Sequence, residues 1–515
     1  MKRFLLSTAL VLLGFVLGFH YALDDTSSGL VDAVEELERG ARGQAARLAA
    51  GTSERVDARA SLFIEFPDLY PAIKRGGAFG GTWSNAIARD IFAASEQGIQ
   101  DAKELGTIEE VAPRTWMIYL PLVNVVVFET DEGLVLVDAG TAAEGPAIAE
   151  LVASVSSKPI HTIIYTHGHS DHAFGTWALV ADNPQIIATD ALVARFDRYR
   201  KLRGSVARYL GQPLESMPET KDDMFYPTAT FSGTTEVVVG GESFVLRAHR
   251  GETDDQLYVW VPSRSIVATA DYYQGFLPNA GNGKRVQRHP EEWAAALREM
   301  AAEKPALLLP AHGQPLTDSA VIQENLDVLA EVFEVISAQT IEELNKGTRK
   351  DLIPTRLAIP ERLENHPTLE EKYVSFEDVS KMVIKLYTGW WDDIPSHWTP
   401  ATFDAQAREI VRLAGGPSNV VARARALMPV DIVMASHLTD WAWYAYPDNP
   451  EVQQLVIDNY HARITGPDAN TQEMLAYLDV MAAARARQLK DQQRLLPVPS
   501  AGSPSEEIKN APPSC

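Results

Sequence analysis

Between residues 165 and 175 the chain reads YTHGHSDHAFG, and four of its side chains can ligate metal: His167, His169, Asp171 and His172. The whole sequence has 12 histidines, so a quarter of them fall within six positions. Imidazole nitrogen and carboxylate oxygen are zinc-type ligands, and they also admit iron or manganese. In the pattern H-x-H-x-D-H, His167 and His169 stand two apart on an extended loop and can point to one side. Asp171 and His172 open the next element and can point to a second spot nearby. That spacing suits two metal ions a few ångströms apart, which together make a shared water acidic enough to give hydroxide near neutral pH. The plain alternative, a histidine-rich polar loop, leaves the pattern to chance.

Such ligands need a rigid mount. HTIIYT, just before the cluster, reads as a buried strand, and strand ends present side chains from a fixed backbone. WMIYL, NVVVFET and GLVLVDAG are short β-rich runs split by turns such as Asp131-Glu132-Gly133. AAEGPAIAELVASV and DHAFGTWALVA read as helices. EVVVGGESFVLRAHR predicts a hairpin on its Gly-Gly turn, and QLYVWVPSRSIVATAD a second turning at Pro262-Ser263. PALLLPAH is one more buried strand. Strand–helix alternation mixed with hairpins between about 115 and 315 predicts an α/β sandwich. From about 317 long amphipathic patterns take over, starting with AVIQENLDVLAEVFEVISAQTIEELN, and residues 375–490 predict a helical bundle or helical-repeat domain.

Composition bounds the rest. The chain has 515 residues, 46% hydrophobic and 22% charged, which predicts a globular protein of two or three domains. Its net charge of -23 argues against nucleic acid as a partner. The one cysteine is Cys515, so neither internal disulfides nor cysteine-ligated zinc can form. Lys2 and Arg3 precede an uncharged run from Phe4 to Phe19, which has the form of a secretory signal or an uncleaved membrane anchor. A cut after Ala22 would put His20 at a small-residue position. Both forms place the protein in the periplasm or otherwise outside the cytoplasm. The tail, PVPSAGSPSEEIKNAPPSC, predicts disorder.

The stretch T-H-G-H-S-D-H resembles the signature loop of the metallo-β-lactamase superfamily, which implies an αββα sandwich. The resemblance carries further residues with it. Asp138, ending GLVLVDAG, matches the aspartate that supports a ligand histidine. Asp271, ending SIVATAD, matches the carboxylate that bridges both metals, and His312 in PAHGQP matches the last ligand histidine. Most members begin a hairpin loop with a histidine where this chain has Glu252, with His249 three residues earlier as the competing candidate. A glutamate there resembles the alkyl sulfatase branch.

That narrower resemblance runs from about 75 to 490. Asn279 falls where alkyl sulfatases carry an asparagine that touches sulfate. Their sulfate-binding arginine comes five residues later, which is Lys284 here, with Arg285 beside it and Arg288 and His289 following. The plain reading of GNGKRVQRH is a solvated basic loop. YTGWWDDIPSHWTP resembles a segment of the alkyl sulfatase dimerisation domain and implies a homodimer. Such enzymes continue into a sterol-carrier-like domain, and its lack here sets the expectation against long-chain alkyl substrates.

Residue patterns and the resemblance together predict five segments: a signal or anchor at 1–24, a helical segment at 25–75, a catalytic domain at 76–345, a helical dimerisation-like domain at 346–490 and a tail at 491–515. The resemblance implies one zinc on His167, His169 and Glu252, a second on Asp171, His172 and His312, and Asp271 between them. Asn279 with Lys284 or Arg285 would hold a sulfate monoester, hydroxide attacking at carbon or at sulfur, with Tyr209 and Tyr373 as candidates for the pocket wall. Other hydrolases of the fold, acting on β-lactams, lactones or phosphoesters, would use the same metals, and a non-catalytic metal-binding protein would keep them without turnover.

Overall fold

The computed structural model describes residues 54–76, 90–210, 212–467 and 469–495. The signal-like segment and the last 20 residues lie outside them. No helix among the described residues is long and apolar enough to cross a membrane.

Two sheets form the centre. The first has strands in chain order: β1 (Thr107–Ala112), β2 (Thr115–Tyr119), β3 (Asn124–Glu129), β4 (Leu134–Val137), β5 (Ile160–Ile164), β6 (Gln185–Thr189) and β7 (Ala229–Phe231). β1 to β4 pair antiparallel, and β4 to β7 pair parallel. The second sheet is built from β8 (Thr234–Val239), β9 (Glu242–Ala248), β10 (Leu257–Val261), β11 (Ile266–Ala270) and β12 (Leu307–Pro310). Its pairs are antiparallel except β11 with β12. Both expected hairpins form. Gly240 and Gly241, at φ +55° and +77°, make the two-residue turn between β8 and β9, and φ positive at both places is what such a turn requires.

The inner faces meet over Val126, Phe128, Val135, Val137 and Ile164 from the first sheet and Phe244, Leu246, Leu257, Val259 and Ile266 from the second. Each such side chain, fully buried, contributes about 1.5–3 kcal/mol. The outer faces are covered too. Helices Gly145–Val155 and Ala191–Lys201 lie on the first sheet, and helices Pro290–Ala302 and Ser319–Asn345 on the second. This four-layer order is the expected αββα sandwich. Strands buried on both faces read as unbroken apolar runs, which is why LVLV and LLLP were legible.

One expectation fails. DHAFGTWALVA is no single helix: one α turn, Ser170–Ala173, passes into a 3-10 turn, Phe174–Ala178. Gly175 explains the break. Its N–H donates to Gly140 O at 2.9 Å, and a β carbon there would lie 2.0 Å from Ala139 O. The turn is thus pressed onto the end of β4, and tertiary contact overrides the helical pattern.

The C-terminal part is helical, as expected, with helices Phe376–Tyr387, Phe403–Leu413, Pro417–Leu427, Ile432–Ala445, Pro450–Thr465 and Thr471–Leu495. Side-chain caps from Ser375, Thr402, Asp431 and Asn449 start four of them. Leu62, Leu69 and Ala72 pack into the core of this bundle beside Val456, Ile457 and Met481, although over 300 residues separate them in sequence.

Candidate metal centre

The ligand candidates converge at one edge of the sandwich because each follows a strand end: Asp138 after β4, His167 after β5, Asp271 after β11 and His312 two residues beyond β12. Asp138 and Ala270 have φ of +70° and +50°. These left-handed residues turn the chain sharply where strands give way to ligands, a local cost that concentrates at functional sites. Asn124 joins the two sheets at this edge, its Nδ2 donating to Pro310 O at 3.1 Å and Gly313 O at 2.8 Å.

Two groups of ligand atoms result. His167, His169, Glu252 and Asp271 form one, and Asp171, His172 and His312 the other. In the second, His172 Nε2 is 3.5 Å and His312 Nε2 is 3.6 Å from Asp171 Oδ2. Both imidazoles stand 3.4 Å from Asp271 Oδ1. Donors about 2.1 Å from a tetrahedral zinc lie about 3.4 Å apart, so this spacing fits a shared cation. The other oxygen, Asp271 Oδ2, lies 4.0 Å from His167 Nε2 and so faces the first group. There His167 Nε2 is 2.8 Å from His169 Nδ1 and 4.0 Å from Glu252 Oε2. One carboxylate thus turns one oxygen to each group.

The far side of each ring is already engaged. His172 Nδ1 donates to Asp138 Oδ2 at 2.7 Å, and His312 Nδ1 donates to Leu122 O at 2.7 Å. His167 Nδ1 meets Thr166 Oγ1 at 3.1 Å, and that hydroxyl donates to Asp138 Oδ2 at 2.9 Å. These bonds fix the tautomers that leave Nε2 of all three rings for a metal. His172 Nε2, Glu252 Oε2 and Asp271 Oδ1 are buried with no hydrogen-bond partner. Such orphans are costly, and here they all face the two groups. Burial holds His167 and His169 well below the usual imidazole range, with neighbouring cations adding to it, so both rings are neutral donors. Burial and Asp271 push Glu252 up against the pull of Arg288, since two carboxylates cannot share a dry pocket without a cation. The donor set and its geometry fit metal ions.

Several supporting residues escaped the sequence reading. Asp255 Oδ2 accepts from Gly168 N at 2.6 Å, its Oδ1 pairs with Arg195 Nε at 3.3 Å, and Tyr199 donates to Gly168 O at 3.0 Å. Together they pin the glycine between His167 and His169. Glu144, fully buried and pushed up to about 7 by that burial, accepts from Leu122 N and so steadies the peptide that orients His312. No spacing signal marks these residues. Asp254 and Asp255 are neighbours in sequence, yet one is exposed and the other buried.

Glu252 enters the first group and His249 does not: His249 Nε2 bonds Glu299 Oε2 at 2.9 Å and stacks on Tyr258. Asn279 Nδ2 donates to Glu252 Oε1 at 2.6 Å, and Arg288 Nη2 donates to the same oxygen at 3.1 Å. His289 is turned away, bonded to Asp254 at 2.7 Å. Lys284 is exposed, and the charges that bear on it are Asp479, Arg285 and Arg59. Arg285 instead feels Glu252 and lies among Tyr209 and Tyr373, its Cζ 5.5 Å from the centre of the Tyr209 ring. The structure therefore sets Asn279 against Glu252, places Arg285 with Tyr209 and Tyr373, and leaves Lys284 exposed.

A sandwich of this topology with two His/carboxylate groups at its strand ends has the metallo-β-lactamase fold. Residues 119–312 match the model of the metallo-beta-lactamase superfamily. Residues 349–486 match the alkyl sulfatase dimerisation family. A linear primary-alkylsulfatase from Pseudomonas sp. is 26% identical over 346 residues, covering 61% of this chain and 65% of that protein. An alkyl/aryl-sulfatase from Saccharomyces cerevisiae is 24% identical over 66% of this chain and 58% of its own length. The chain thus spans less than two thirds of these relatives. The solved structure of Pisa1, a stereoselective inverting sec-alkylsulfatase from Pseudomonas sp., superposes with a TM-score of 0.66 at 17% identity, covering 85% of this chain and 78% of that one, and so shares the fold.

Proposed function

We propose that this protein is a sulfuric ester hydrolase that cleaves alkyl sulfate monoesters at a site for two zinc ions. The carrying observation is Asp271, whose two oxygens divide between the two ligand groups. His167, His169 and Glu252 would hold one ion, Asp171, His172 and His312 the other, and Asp271 both. When bound, the pair supplies Lewis acidity and a water acidic enough to attack near neutral pH. The residues themselves do the rest. Imidazoles oriented by Asp138, Thr166 and Leu122, and a Glu252 held by Arg288 and Asn279, keep the ligands in place. Arg285, rather than Lys284, grips the sulfate, because a planar guanidinium can meet two sulfate oxygens at once and stabilises the charge that leaves with them. The alkyl sulfatase relatives and the dimerisation-family match support this substrate class.

The test is elemental analysis of the purified protein followed by a panel of short and long alkyl sulfates, a β-lactam, a lactone and a phosphoester. Two zinc ions per chain and turnover confined to sulfate esters are expected. Turnover of another member of the panel alone would move the protein to a different branch of the superfamily. Within that assay, Arg285→Ala is expected to raise KM about 10- to 100-fold with metal content unchanged, whereas Lys284→Ala stays within about twofold. Equal effects of the two would remove Arg285 from the sulfate.

The same reading makes the protein a homodimer joined through its helical region, where Trp390, Leu413 and Val430 are each more than 70% exposed, and places it outside the cytoplasm on the strength of residues 1–24. Light scattering and cell fractionation check these two points.

A further inference from the structure

Among the described residues, the helical C-terminal region touches the anion side of the site through Tyr373 and the helix that follows it. Tyr373, buried just before helix Phe376–Tyr387, bonds through its hydroxyl with the Arg285 guanidinium. The helix that follows grips the loop carrying that arginine. Gln287 Nε2 donates to Met382 O at 3.0 Å, and Lys385 Nζ donates to Arg285 O at 3.1 Å. Gly281, at φ +123°, packs so closely that a β carbon there would lie 2.2 Å from Met382 Cγ. Meanwhile Arg285 Nε is buried without a hydrogen-bond partner, a donor left over for a ligand.

We propose that Tyr373 is a positioning residue for anion recognition: by holding Arg285 in one orientation, it makes the C-terminal region part of the sulfate subsite as well as an assembly module. The proposal rests on the reading of this site as one for sulfate esters. Tyr373 acts through Arg285 and touches no reacting atom. A guanidinium fixed before the ligand arrives gives up less freedom on binding, so the hydroxyl contributes affinity without meeting the substrate. Tyr209 offers the same guanidinium a ring that a cation favours, and the Tyr373 hydroxyl is the partner that sets its direction.

Tyr373→Phe deletes only that hydroxyl. In the metal-loaded full-length protein, calorimetric titration with inorganic sulfate is expected to show affinity weakened about tenfold, with KM for a sulfate ester raised in parallel and kcat and metal content within about twofold. Lys385→Met, at an exposed position on the same loop contact, is expected to weaken sulfate by about two- to threefold. Unchanged sulfate affinity in Tyr373→Phe, beside a loss in Arg285→Ala, overturns the proposal. So does a variant that loses kcat and metal but not sulfate affinity, since that is a structural role. A wild type that binds sulfate yet turns over no sulfate ester sinks the enzymatic reading alone, and the affinity ratio still decides for or against Tyr373.

Discussion

Asp271→Asn is expected to lower kcat/KM for a sulfate ester about 10³-fold and to release metal from the protein. The size follows from what one side chain is asked to do. Its Oδ1 stands 3.4 Å from both His172 Nε2 and His312 Nε2, while Oδ2 faces His167. The amide keeps the shape and removes the charge, and its nitrogen is no ligand. The two proposed ions would lose their shared anchor, and His172 and His312 the carboxylate oxygen that stands 3.4 Å from each. Elemental analysis of the variant should give fewer than two ions per chain. Retention of both ions with activity within about tenfold of wild type would remove Asp271 from the centre.

Glu252→Ala is expected to do two things at once: empty the first metal site and destabilise the fold by about 3 kcal/mol. The second effect comes from Arg288. It is 1% exposed, Glu252 is 3% exposed, and Nη2 meets Oε1 at 3.1 Å. Truncation leaves a buried guanidinium with only the Glu252 carbonyl for a partner, and breaking one half of a buried pair costs far more than the pair is worth intact. Asn279 loses its acceptor as well. Glu252→Gln separates the two effects. Its amide oxygen still accepts from Arg288 and Asn279, so part of the stability should return while the metal does not. Denaturant midpoints of the metal-free proteins, at equal slopes, provide the measurement. Equal midpoints for wild type and Glu252→Ala would refute the buried-pair account.

How much of this was legible depended on whether a residue's role is local. His167, His169, Asp171 and His172 sit on one loop, so their spacing carried the geometry with it. Asp271 and His312 could be found because buried strands are apolar runs and the residue just past the end stands out. The choice between Glu252 and His249 could not be made from the local pattern alone. It is settled by the path of the chain after β9, which leaves His249 beside Glu299 and carries Glu252 inward. The same holds for Lys284 and Arg285: adjacent side chains on an irregular loop diverge, and only the tertiary neighbours Tyr209 and Tyr373 show which one turns in. DHAFGTWALVA misled because helical periodicity says nothing of Gly175 pressing on Ala139.

The core over the second sheet holds one more lesson. Leu363, Leu369, Val374, Phe376 and Val379 belong to the same apolar cluster as Trp293 and Phe333. Parting the molecule near residue 346 would therefore tear a continuous hydrophobic interior.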